Sequence, residues 1–590
     1  MPDFNTVNAF DYALIALYFG IIIYVGFYSA RKNKNTADYF EGGGVIPWFL
    51  AGLSNWVSGF SAFMFVAAAG VTYANAGGAV LIFTAATWAY LVGYFYFARR
   101  WRRARLASPL QFLTRRFSPS TTYFYSVTAV IPAIVGIGQG LYILCIFVST
   151  ALGFNDLSIT VAGITLSGFQ LLLIVIGFVM VLYTAVGGLW AAVLSDAVQG
   201  IIIGTMSLII LPVSYLYLGR GGGLFAGVER LLAEAPAGYF AIGGPASSPW
   251  FLVGYAISMF LGYNVAWHLV QRYNSVPDER GARKMALLCA ALSAVGPLLW
   301  IMPVMAARII FPDMHAIWPQ FANPNEASFV SLALLLLPHG MIGFVVSAIL
   351  SATLGQANDA FNWLAATITR DIIVPLRRRS TGLDTSQRAQ LRIAWVTMTI
   401  VGILGVAVAF YIPRFGGAFK FALEYYSLIA AFQMPVALGM IFRRTPWWSG
   451  IAACSAALIV AITLMVLGVF PEHSFARNII SEAVTASLVF WLSARWFRAD
   501  DPCNAHLLAL ERDLDTPMLV ENETYAAGAL QVYGLIGTVC LILGAVLSLC
   551  VFLPASPIAP AAINLIAGAM LLTLGFALRR YATRRVASTP

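Results

Sequence analysis

Asp359 lies deep within an apolar helical stretch, SAILSATLGQANDAFNWLAATITRD, at residues 347 to 371. A carboxylate at the centre of a bilayer costs at least about 2 to 3 kcal/mol on insertion scales, so it usually faces a cavity, a cation or a proton path. Gly355 and Gln356 precede Asp359 by four and three residues. Ala352 precedes it by seven, so a helix places all four residues on one stripe. The pattern predicts a stripe that faces a cavity, a cation or a proton path; the alternative is a structural partner for Asp359, such as a buried Arg or the amides of a helix end.

Two other apolar stretches carry polar residues where a membrane helix is normally apolar. The first, residues 46 to 72, is interrupted by Ser54, Asn55, Ser58, Gly59 and Ser61. The second, residues 248 to 270, contains LGYNVAWH. Polar or Gly-rich centres are typical of helices that unwind to bind a solute, because exposed backbone at that depth must line a cavity or be buried in protein. The alternative is close helix packing through small residues.

The polar side chains of these two stretches are the candidate solute ligands. Asn55, Ser58 and Ser61 are suited to bond the hydroxyl or carboxylate groups of a solute; the alternative for them is a hydrogen bond back to the preceding turn. The second stretch contributes Asn264, Trp267 and His268. For His268, the alternative is a satisfied structural histidine. The sequence therefore predicts a solute site between two interrupted helices.

The elements that must position these residues are membrane helices. Of 590 residues, 60% are hydrophobic and 10% are charged. Apolar runs long enough to cross roughly 30 Å of hydrocarbon recur along the chain. Hydropathy and periodicity predict an all-α polytopic membrane protein with about fifteen spans. Soluble segments are short and no Gly-rich phosphate loop precedes a basic helix, which excludes an ATPase or kinase domain.

Lys and Arg are distributed unevenly between the two sides of the predicted membrane protein. If the amino terminus is outside, the loops on the inner side hold 29 of the 35 Lys and Arg residues. This asymmetry predicts a multi-pass protein of the plasma or inner membrane, with its amino terminus outside and its carboxyl terminus in the cytoplasm. The net charge of +10 lies in short loops beside span ends, as retention signals next to anionic lipid do. The predicted partner of these charges is the lipid bilayer and not nucleic acid.

Several motifs resemble those of the sodium:solute symporter family. YTAVGGLWAAVLSDAVQG, residues 183 to 200, resembles a family element in which Asp196 is an ion-path carboxylate; the alternative for Asp196 is a pair with a neighbouring Arg. FKFALEYYSLIAAFQMPVALGMIFRRTPWW resembles the penultimate core helix of the family. The stretch around Asp359 resembles its sodium-site helix, and FEGGGVIPWFLAGLS and the VQR at 270 to 272 fit as well. The resemblance runs to about residue 498 and implies a LeuT-type core of five plus five inverted helices.

The resemblance also implies the residues of an ion site. In the family, a sodium site between the first and eighth core helices uses backbone carbonyls of both helices and two adjacent hydroxyl side chains of the eighth. The carbonyl positions correspond to Val57, Phe60 and Ala352, and the hydroxyl positions to Gly355 and Gln356. A hard cation needs several oxygen ligands, and Gly355 supplies no side chain, so the site is weakened. We hypothesise that Asp359 replaces the lost hydroxyls, either by ligating sodium together with Gln356 or by carrying a proton.

Together these features predict a secondary active transporter that takes up a small organic solute by cation symport, with sodium or a proton as the coupling ion. No organic cofactor, no catalytic residue and no metal beyond the coupling ion is expected, so the chain is not predicted to be an enzyme. The alternative is a membrane-embedded solute sensor that acts through a separate partner. A channel needs a continuous polar pore, which one polar cluster per repeat does not supply. The solute and the oligomeric state are left open.

The predicted organisation has five parts. They are an extra helix and inner loop at 1–45, a core at 46–442 with repeats at about 46–218 and 248–442, two further family helices at 443–498, a cytoplasmic linker at 499–529, and a helix pair with a basic tail at 530–590.

Overall fold

The computed structural model describes residues 4–5, 7–30, 44–59, 61–106, 110–154, 157–161, 163–184, 189–381, 385–519, 523–553 and 560–586. Within these ranges the chain is almost entirely helical, as predicted. The described strands, β1 (Ser158–Val161) and β2 (Ile164–Ser167), pair as a short antiparallel hairpin. Strands of this length leave no periodic pattern that stands out from the apolar sequence around them.

The helices before the hairpin are α1 (Ala9–Ala30), α2 (Trp48–Ser58), α3 (Ala67–Ala74), α4 (Ala76–Phe83), α5 (Ala85–Val92), α6 (Ala98–Arg103), α7 (Gln111–Arg116), α8 (Pro119–Thr128) and α9 (Val130–Leu152). A π-helical turn joins α5 to α6, so one long span runs from Ala76 to Arg103. Side chains fix the helix starts. The Asn75 side chain accepts a hydrogen bond from the Gly78 amide (2.6 Å) at the start of α4. Such N-cap contacts satisfy amides that have no partner in the first helical turn.

The helices after the hairpin are α10 (Gly168–Thr184), α11 (Leu189–Leu218), α12 (Gly223–Glu234), α13 (Pro249–Val265), α14 (Trp267–Ser275), α15 (Glu279–Ile310), α16 (Met314–Ile317), α17 (Ser328–Leu336), α18 (Met341–Thr367), α19 (Val374–Thr381), α20 (Gln387–Tyr411), α21 (Ala418–Ile441), α22 (Ser449–Val466), α23 (Ser474–Ser493), α24 (Ala505–Asp515), α25 (Glu523–Leu549) and α26 (Ala562–Val586).

Helix α18, which carries the predicted ion stripe, lies at the centre of the bundle. It packs against α1, α9, α10, α11 and α20. Asp11 of α1 is buried, and its Oδ1 accepts hydrogen bonds from the amides of Gly340 (2.7 Å) and Gly343 (2.9 Å) at the start of α18. The carboxylate of Asp11 is suited to this position because a helix start favours negative charge. The amino-terminal helix thus holds one end of α18.

In the described parts of the chain, nine helices are long and apolar enough to span a membrane, or ten if the bent pair α13 and α14 counts as one span. Four shorter apolar helical segments are Ala9–Val25, Gly168–Val181, Pro324–Leu336 and Met341–Ala357. The polytopic membrane architecture is therefore confirmed. The total of about fifteen spans and the domain boundaries stay predictions.

The segment predicted as a linker, residues 499–529, is partly helical, since it contains α24 and the start of α25. Helix α24 packs against α6 and α7 through buried leucines at 507, 510 and 514. Asp513 of the same helix pairs with Arg105 (2.8 Å) and with Arg115 of α7 (2.5 Å). The segment thus lies across the Arg-rich loops that the sequence assigns to the cytoplasmic side.

Candidate solute and ion site

The first predicted interruption is a break between α2 and α3. Helix α2 ends at Ser58, and Ser61 has a φ of 29°, a value that residues other than glycine rarely adopt. The amide of Ala62 donates a hydrogen bond to Thr353 Oγ1 of α18 (3.2 Å). A backbone group next to the break therefore finds its partner on the neighbouring helix, as backbone at membrane depth requires.

The second predicted interruption is a break at Ala266, where the axes of α13 and α14 differ by 42°. Ala266 has an extended backbone, with a ψ of 127°. The Asn264 carbonyl accepts a hydrogen bond from Trp101 Nε1 (2.8 Å). In the first half of α14, the Leu269 carbonyl accepts one from Asn55 Nδ2 of α2 (3.1 Å). The two interrupted helices are thus bonded to each other beside their breaks.

A cavity of about 330 Å³ lies between the two breaks. Of the predicted residues, Ser58, Ser61, Trp267, His268 and Gln356 line it. Aromatic rings supply much of the remaining lining, from Trp56, Tyr255, Tyr263, Trp300, Trp363, Tyr425 and Tyr426. Neutral hydrogen-bonding groups come from Gln139, Thr353 and Gln433. Among the lining residues that the structure describes, there is no Lys, Arg, Asp or Glu.

The cavity is covered at the end away from the Arg-rich loops. Phe63 and Phe83 line that end. The ring of Phe419 packs against both, with centroid distances of 6.4 Å to Phe63 and 6.1 Å to Phe83. Towards the other end, the lining reaches Val436, less than two turns before the end of α21. In this conformation the cavity therefore extends towards the Arg-rich side.

Asp196 of α11 forms a buried ion pair with Arg272 of α14. Asp196 Oδ2 lies 3.3 Å from Arg272 Nη2, and the two side chains are 4% and 0% exposed. Ser54 Oγ and Ser58 Oγ of α2 donate hydrogen bonds to the same Oδ2 atom, at 2.6 Å and 3.3 Å. Arg272 also donates to the His268 carbonyl (2.7 Å). The ion pair that was the alternative for Asp196 is present, and its role on an ion path stays a prediction.

Gly355 of the predicted ion stripe faces α11. A Cβ placed on Gly355 would lie 3.3 Å from Asp196 Oδ1 and 3.9 Å from Gln199 Oε1. Gln199 Nε2 donates a hydrogen bond to Ser351 Oγ (2.7 Å), whereas Gln199 Oε1 is buried and has no hydrogen-bond partner within the described ranges. Buried oxygens are normally paired. The space beside Gly355 is thus bordered by a carboxylate oxygen and by the Gln199 amide, whose Nε2 would lie 4.0 Å from that Cβ; carboxylate and amide oxygens are ligand types that suit a hard cation.

Asn55 and Asn264, two predicted solute ligands, do not line the cavity as described. Asn55 Oδ1 accepts a hydrogen bond from the Tyr90 hydroxyl (2.9 Å), and Asn264 Nδ2 donates to the Ala89 carbonyl (2.9 Å). In this conformation both amides hold neighbouring helices together.

The remaining predicted ion residues are placed only in part. Val57 is buried, and its carbonyl accepts a hydrogen bond from the Ser61 amide (3.3 Å). Phe60 and the side chains of Ala352 and Asp359 lie outside the described residues. Their ion contacts therefore stay predictions.

Arg272 and Gln139 were not among the predicted site residues, although each carries a signal in the sequence. Gln139 is a polar residue in the apolar run of α9, and Arg272 follows directly on the second interrupted span. A polar side chain in an apolar run indicates either a site or a buried partner. Only the tertiary contacts separate these two roles.

Two interrupted helices that face one central cavity are typical of secondary transporters built from discontinuous membrane helices. A solved structure of a substrate-bound, outward-open, sodium-coupled sialic acid symporter has the same fold. It superposes with a TM-score of 0.66 at 19% identity, covering 83% of this chain and 98% of that chain.

The model of the sodium:solute symporter family matches residues 39–450, and the chain belongs to this family. Its relatives include the sodium/sialic acid symporter NanT of Aliivibrio fischeri, 23% identical over 426 residues that cover 70% of this chain and 77% of that protein. The sodium/glucose cotransporter of Vibrio parahaemolyticus is 24% identical over 483 residues, covering 77% and 84%. The predicted family and the class of multi-pass transporter, rather than enzyme, are confirmed. The family supports sodium-coupled solute symport and gives no support to a proton as coupling ion or to a sensor role.

Proposed function

We propose that the chain takes up a small, uncharged organic solute together with sodium, and that the solute binds in the cavity between the two breaks. The observation that carries the proposal is the lining of this cavity. Ser58 and Ser61 from one break, and Ala266 and His268 from the other, border the same space. Discontinuous helices present backbone and side-chain groups to a solute near the middle of the membrane.

The chemistry of the lining favours a neutral, ring-shaped solute. Indole and phenol rings can cover the apolar face of such a solute, while a few convergent polar groups fix its orientation. Gln139, Gln356 and Gln433 supply amide groups that can both donate to and accept from hydroxyls. An acidic solute would have to bury its negative charge without a Lys or Arg among the described lining residues, which is unfavourable. Of the solutes in the relatives' names, glucose therefore fits better than sialic acid.

Uptake into proteoliposomes tests this proposal. Labelled glucose, myo-inositol and sialic acid are offered with an inward sodium gradient or with an equal potassium gradient. We expect sodium-dependent uptake of a neutral solute. Uptake of sialic acid in preference to both neutral solutes would contradict the proposed solute class, and equal uptake in potassium would contradict sodium coupling.

A size change in the cavity tests the location of the site. His268→Trp adds bulk to the cavity lining and should abolish uptake while the protein remains folded and inserted. His315→Trp is the matched control, because His315 is exposed and is not among the cavity residues. Normal uptake by His268→Trp would move the solute site elsewhere.

For the coupling ion, we propose a sodium site beside Gly355. The support is that Asp196 Oδ1 and Gln199 Oε1 both border this space, and that Gln199 Oε1 has no hydrogen-bond partner among the described residues. The carbonyls of Val57 and Ala352 and the carboxylate of Asp359 are the further proposed ligands. Hard cations bind such sets of carboxylate and carbonyl oxygens.

Asp359→Asn tests the two versions of the ion site. If Asp359 ligates sodium, this variant should need a higher sodium concentration for half-maximal uptake. If a pH gradient alone drives uptake, and Asp359→Asn retains only exchange or downhill flux, the proton version holds instead. Uphill transport by the variant with unchanged ion dependence would make Asp359 a structural residue.

A further inference from the structure

Glu326 is a buried carboxylic acid at the covered end of the cavity, and the proposed solute and ion sites do not use it. It lies in a 3-10 turn, Pro324–Ala327, between α16 and α17, and is 1% exposed. The turn belongs to the segment that connects α15 to α17, and this segment is predicted to lie on the side opposite the Arg-rich loops. A buried acid at this place needs a physical account, because an unpaired charge in protein is costly.

The two oxygens of Glu326 have different surroundings. Oε1 accepts hydrogen bonds from the amides of Ala418 (2.7 Å) and Phe419 (3.3 Å), the first two residues of α21, and from Asn323 Nδ2 (3.4 Å). Glu326 thereby caps the start of α21, where the helix dipole favours a negative group. Oε2, in contrast, is buried and has no hydrogen-bond partner in the part of the chain that the structure describes.

Three elements meet at this side chain. A Cβ on Gly70 of α3 would lie 2.8 Å from Glu326 Cγ, and a Cβ on Gly417 would lie 2.6 Å from Glu326 Oε1. Gly416 and Gly417 have φ angles of 78° and 113°, which favour glycine. The absence of these side chains allows α3 and the start of α21 to close directly onto the carboxyl group.

The same contacts fix the ring that covers the cavity. Phe419 donates its amide to Glu326 Oε1, while its ring packs on Phe63 and Phe83 at the cavity end. Moving the start of α21 away from Glu326 would therefore also withdraw the Phe419 ring from the cavity. Separation of α3, the 3-10 turn and α21 is the motion that would open this end.

We propose that Glu326 is the latch of this end of the transporter: it joins α3, the 3-10 turn and α21 while the end is closed, and opening supplies its unpartnered Oε2 with water. The inference rests on the proposed function only in that this end admits the solute. The latch concerns only the conformation of this end, so its opening can be measured without any solute.

The latch should make opening sensitive to pH on that side of the membrane. Burial raises the pKa of Glu326 to about 7, and the hydrogen bonds from Phe419, Ala418 and Asn323 offset only part of that rise. Opening would return the acid to an ordinary pKa of 4.5. Because the closed form has the higher pKa, protonation stabilises the closed form, and this stabilisation is lost as the pH rises through about 7. Between about pH 6 and about pH 8, the ratio of open to closed molecules should rise about tenfold.

Other charged or titratable groups lie on the elements around Glu326. The test must distinguish their contribution to the pH dependence from that of Glu326. They are Tyr73 on α3, Tyr142 on α9, Asp313 and His315 at α16, Arg414 before α21 and Lys420 on α21. Histidine is the residue type that changes charge near neutral pH. His315 is exposed, so His315→Gln serves as the matched control.

Accessibility of a cysteine in the cavity provides the measurement. Met64→Cys places a thiol in the lining near Phe63, and a membrane-impermeant maleimide is added from the amino-terminal side in the absence of solute. The described native cysteines are buried, and background labelling is measured without Met64→Cys. Glu326→Gln keeps an oxygen for the amides of α21 but stays neutral. At each pH, the labelling rate of the Met64→Cys protein is divided by the rate of the same protein with Glu326→Gln. This ratio removes the pH dependence of the thiol's own reactivity.

We expect this ratio of rates to rise about tenfold from about pH 6 to about pH 8, with the same rise in His315→Gln. A ratio that does not change with pH, or a rise that disappears in His315→Gln, would overturn the latch. Size-exclusion chromatography of the purified protein shows that Glu326→Gln is folded, and sodium-driven uptake is measured in parallel in proteins without Met64→Cys. If the unmodified protein fails to take up the solutes while the ratio rises as expected, the proposed function is wrong and the latch stands.

Discussion

Asp196 and Glu326 are two buried carboxyl groups near opposite ends of the broken helices, and they are held in different ways. Asp196 Oδ2 lies against Arg272 and accepts hydrogen bonds from Ser54 and Ser58. Glu326 has amide partners on Oε1, whereas its Oε2 has no hydrogen-bond partner among the residues described. Removing a carboxylate from water is unfavourable unless its oxygens find partners in the protein. The cost of burying Asp196 is therefore offset by an opposite charge, whereas the cost of burying Glu326 is offset only in part.

This contrast indicates which of the two carboxyl groups is easier to expose to water in the described conformation. Breaking a compensated pair leaves two buried charges, whereas exposing Glu326 gives a partner to an oxygen that lacked one. The free energy of unfolding should therefore fall strongly when one partner of the Asp196–Arg272 pair is removed. It should fall less when Glu326 is removed.

The largest effect is expected for Arg272→Met. This substitution leaves Asp196 buried without its cation, which should lower the free energy of unfolding by about 3 to 5 kcal/mol. Thermal and denaturant unfolding of the purified protein measures the loss. Arg280→Met is the matched control, because Arg280 is exposed in the same part of the chain. Replacing both partners, with Asp196→Leu and Arg272→Met together, should recover much of the loss; an equal or greater loss in the double variant would contradict the account.

The next effect concerns the ion site that adjoins Asp196. Gln199→Leu removes the oxygen proposed to bind sodium beside Gly355. We take a hydrogen bond to a charged group, which contributes about 1.5 to 3 kcal/mol, as the measure of this contact. The sodium concentration for half-maximal uptake should therefore rise at least about tenfold. Thr205→Val controls for loss of a polar group on α11, because the Thr205 hydroxyl bonds back to the Ile201 carbonyl. An unchanged sodium dependence would place the ion elsewhere.

A smaller loss is expected when the cap at the opposite end is removed. Glu326→Ala deprives the Ala418 and Phe419 amides of their acceptor, and loss of a helix cap costs about 0.5 to 2 kcal/mol. Glu326→Gln keeps an acceptor and should lose less. Both are compared by denaturant unfolding at one pH. A loss from Glu326→Ala as large as that from Arg272→Met would remove the contrast between the two ends.

The smallest effect is expected at the surface helix α24. Asp513→Asn removes the ion pairs with Arg105 and Arg115, whose side chains are 39% and 26% exposed. Exposed pairs contribute about 0.2 to 1 kcal/mol each, and salt screens them. The stability difference from the unmodified protein should shrink in high salt. A difference that persists there would show that Asp513 acts through packing and not through charge.

The properties that depend on the bilayer can be predicted from the amino-acid sequence. Apolar runs, the uneven distribution of Lys and Arg, and polar residues inside two spans are local features, and the cost of exposing polar groups to lipid gives each of them a structural meaning. The membrane architecture, the family and both helix breaks could therefore be predicted, and Ser58, Ser61, Trp267, His268 and Gln356 do line the cavity between the breaks.

The pairing of buried polar groups, in contrast, depends on how distant helices pack and could not be predicted. A polar residue at membrane depth needs a partner, but its local sequence does not distinguish a solute from another helix. Asn55 thus looked like a solute ligand, whereas its amide bonds to Leu269 and Tyr90. Arg272 stands 76 residues after Asp196, and Ala418 stands 92 residues after Glu326, so packing of distant helices makes these contacts. The roles of Asp196 and Glu326 follow from that packing, because it sets how much water and which opposite charges or amides each carboxyl group meets.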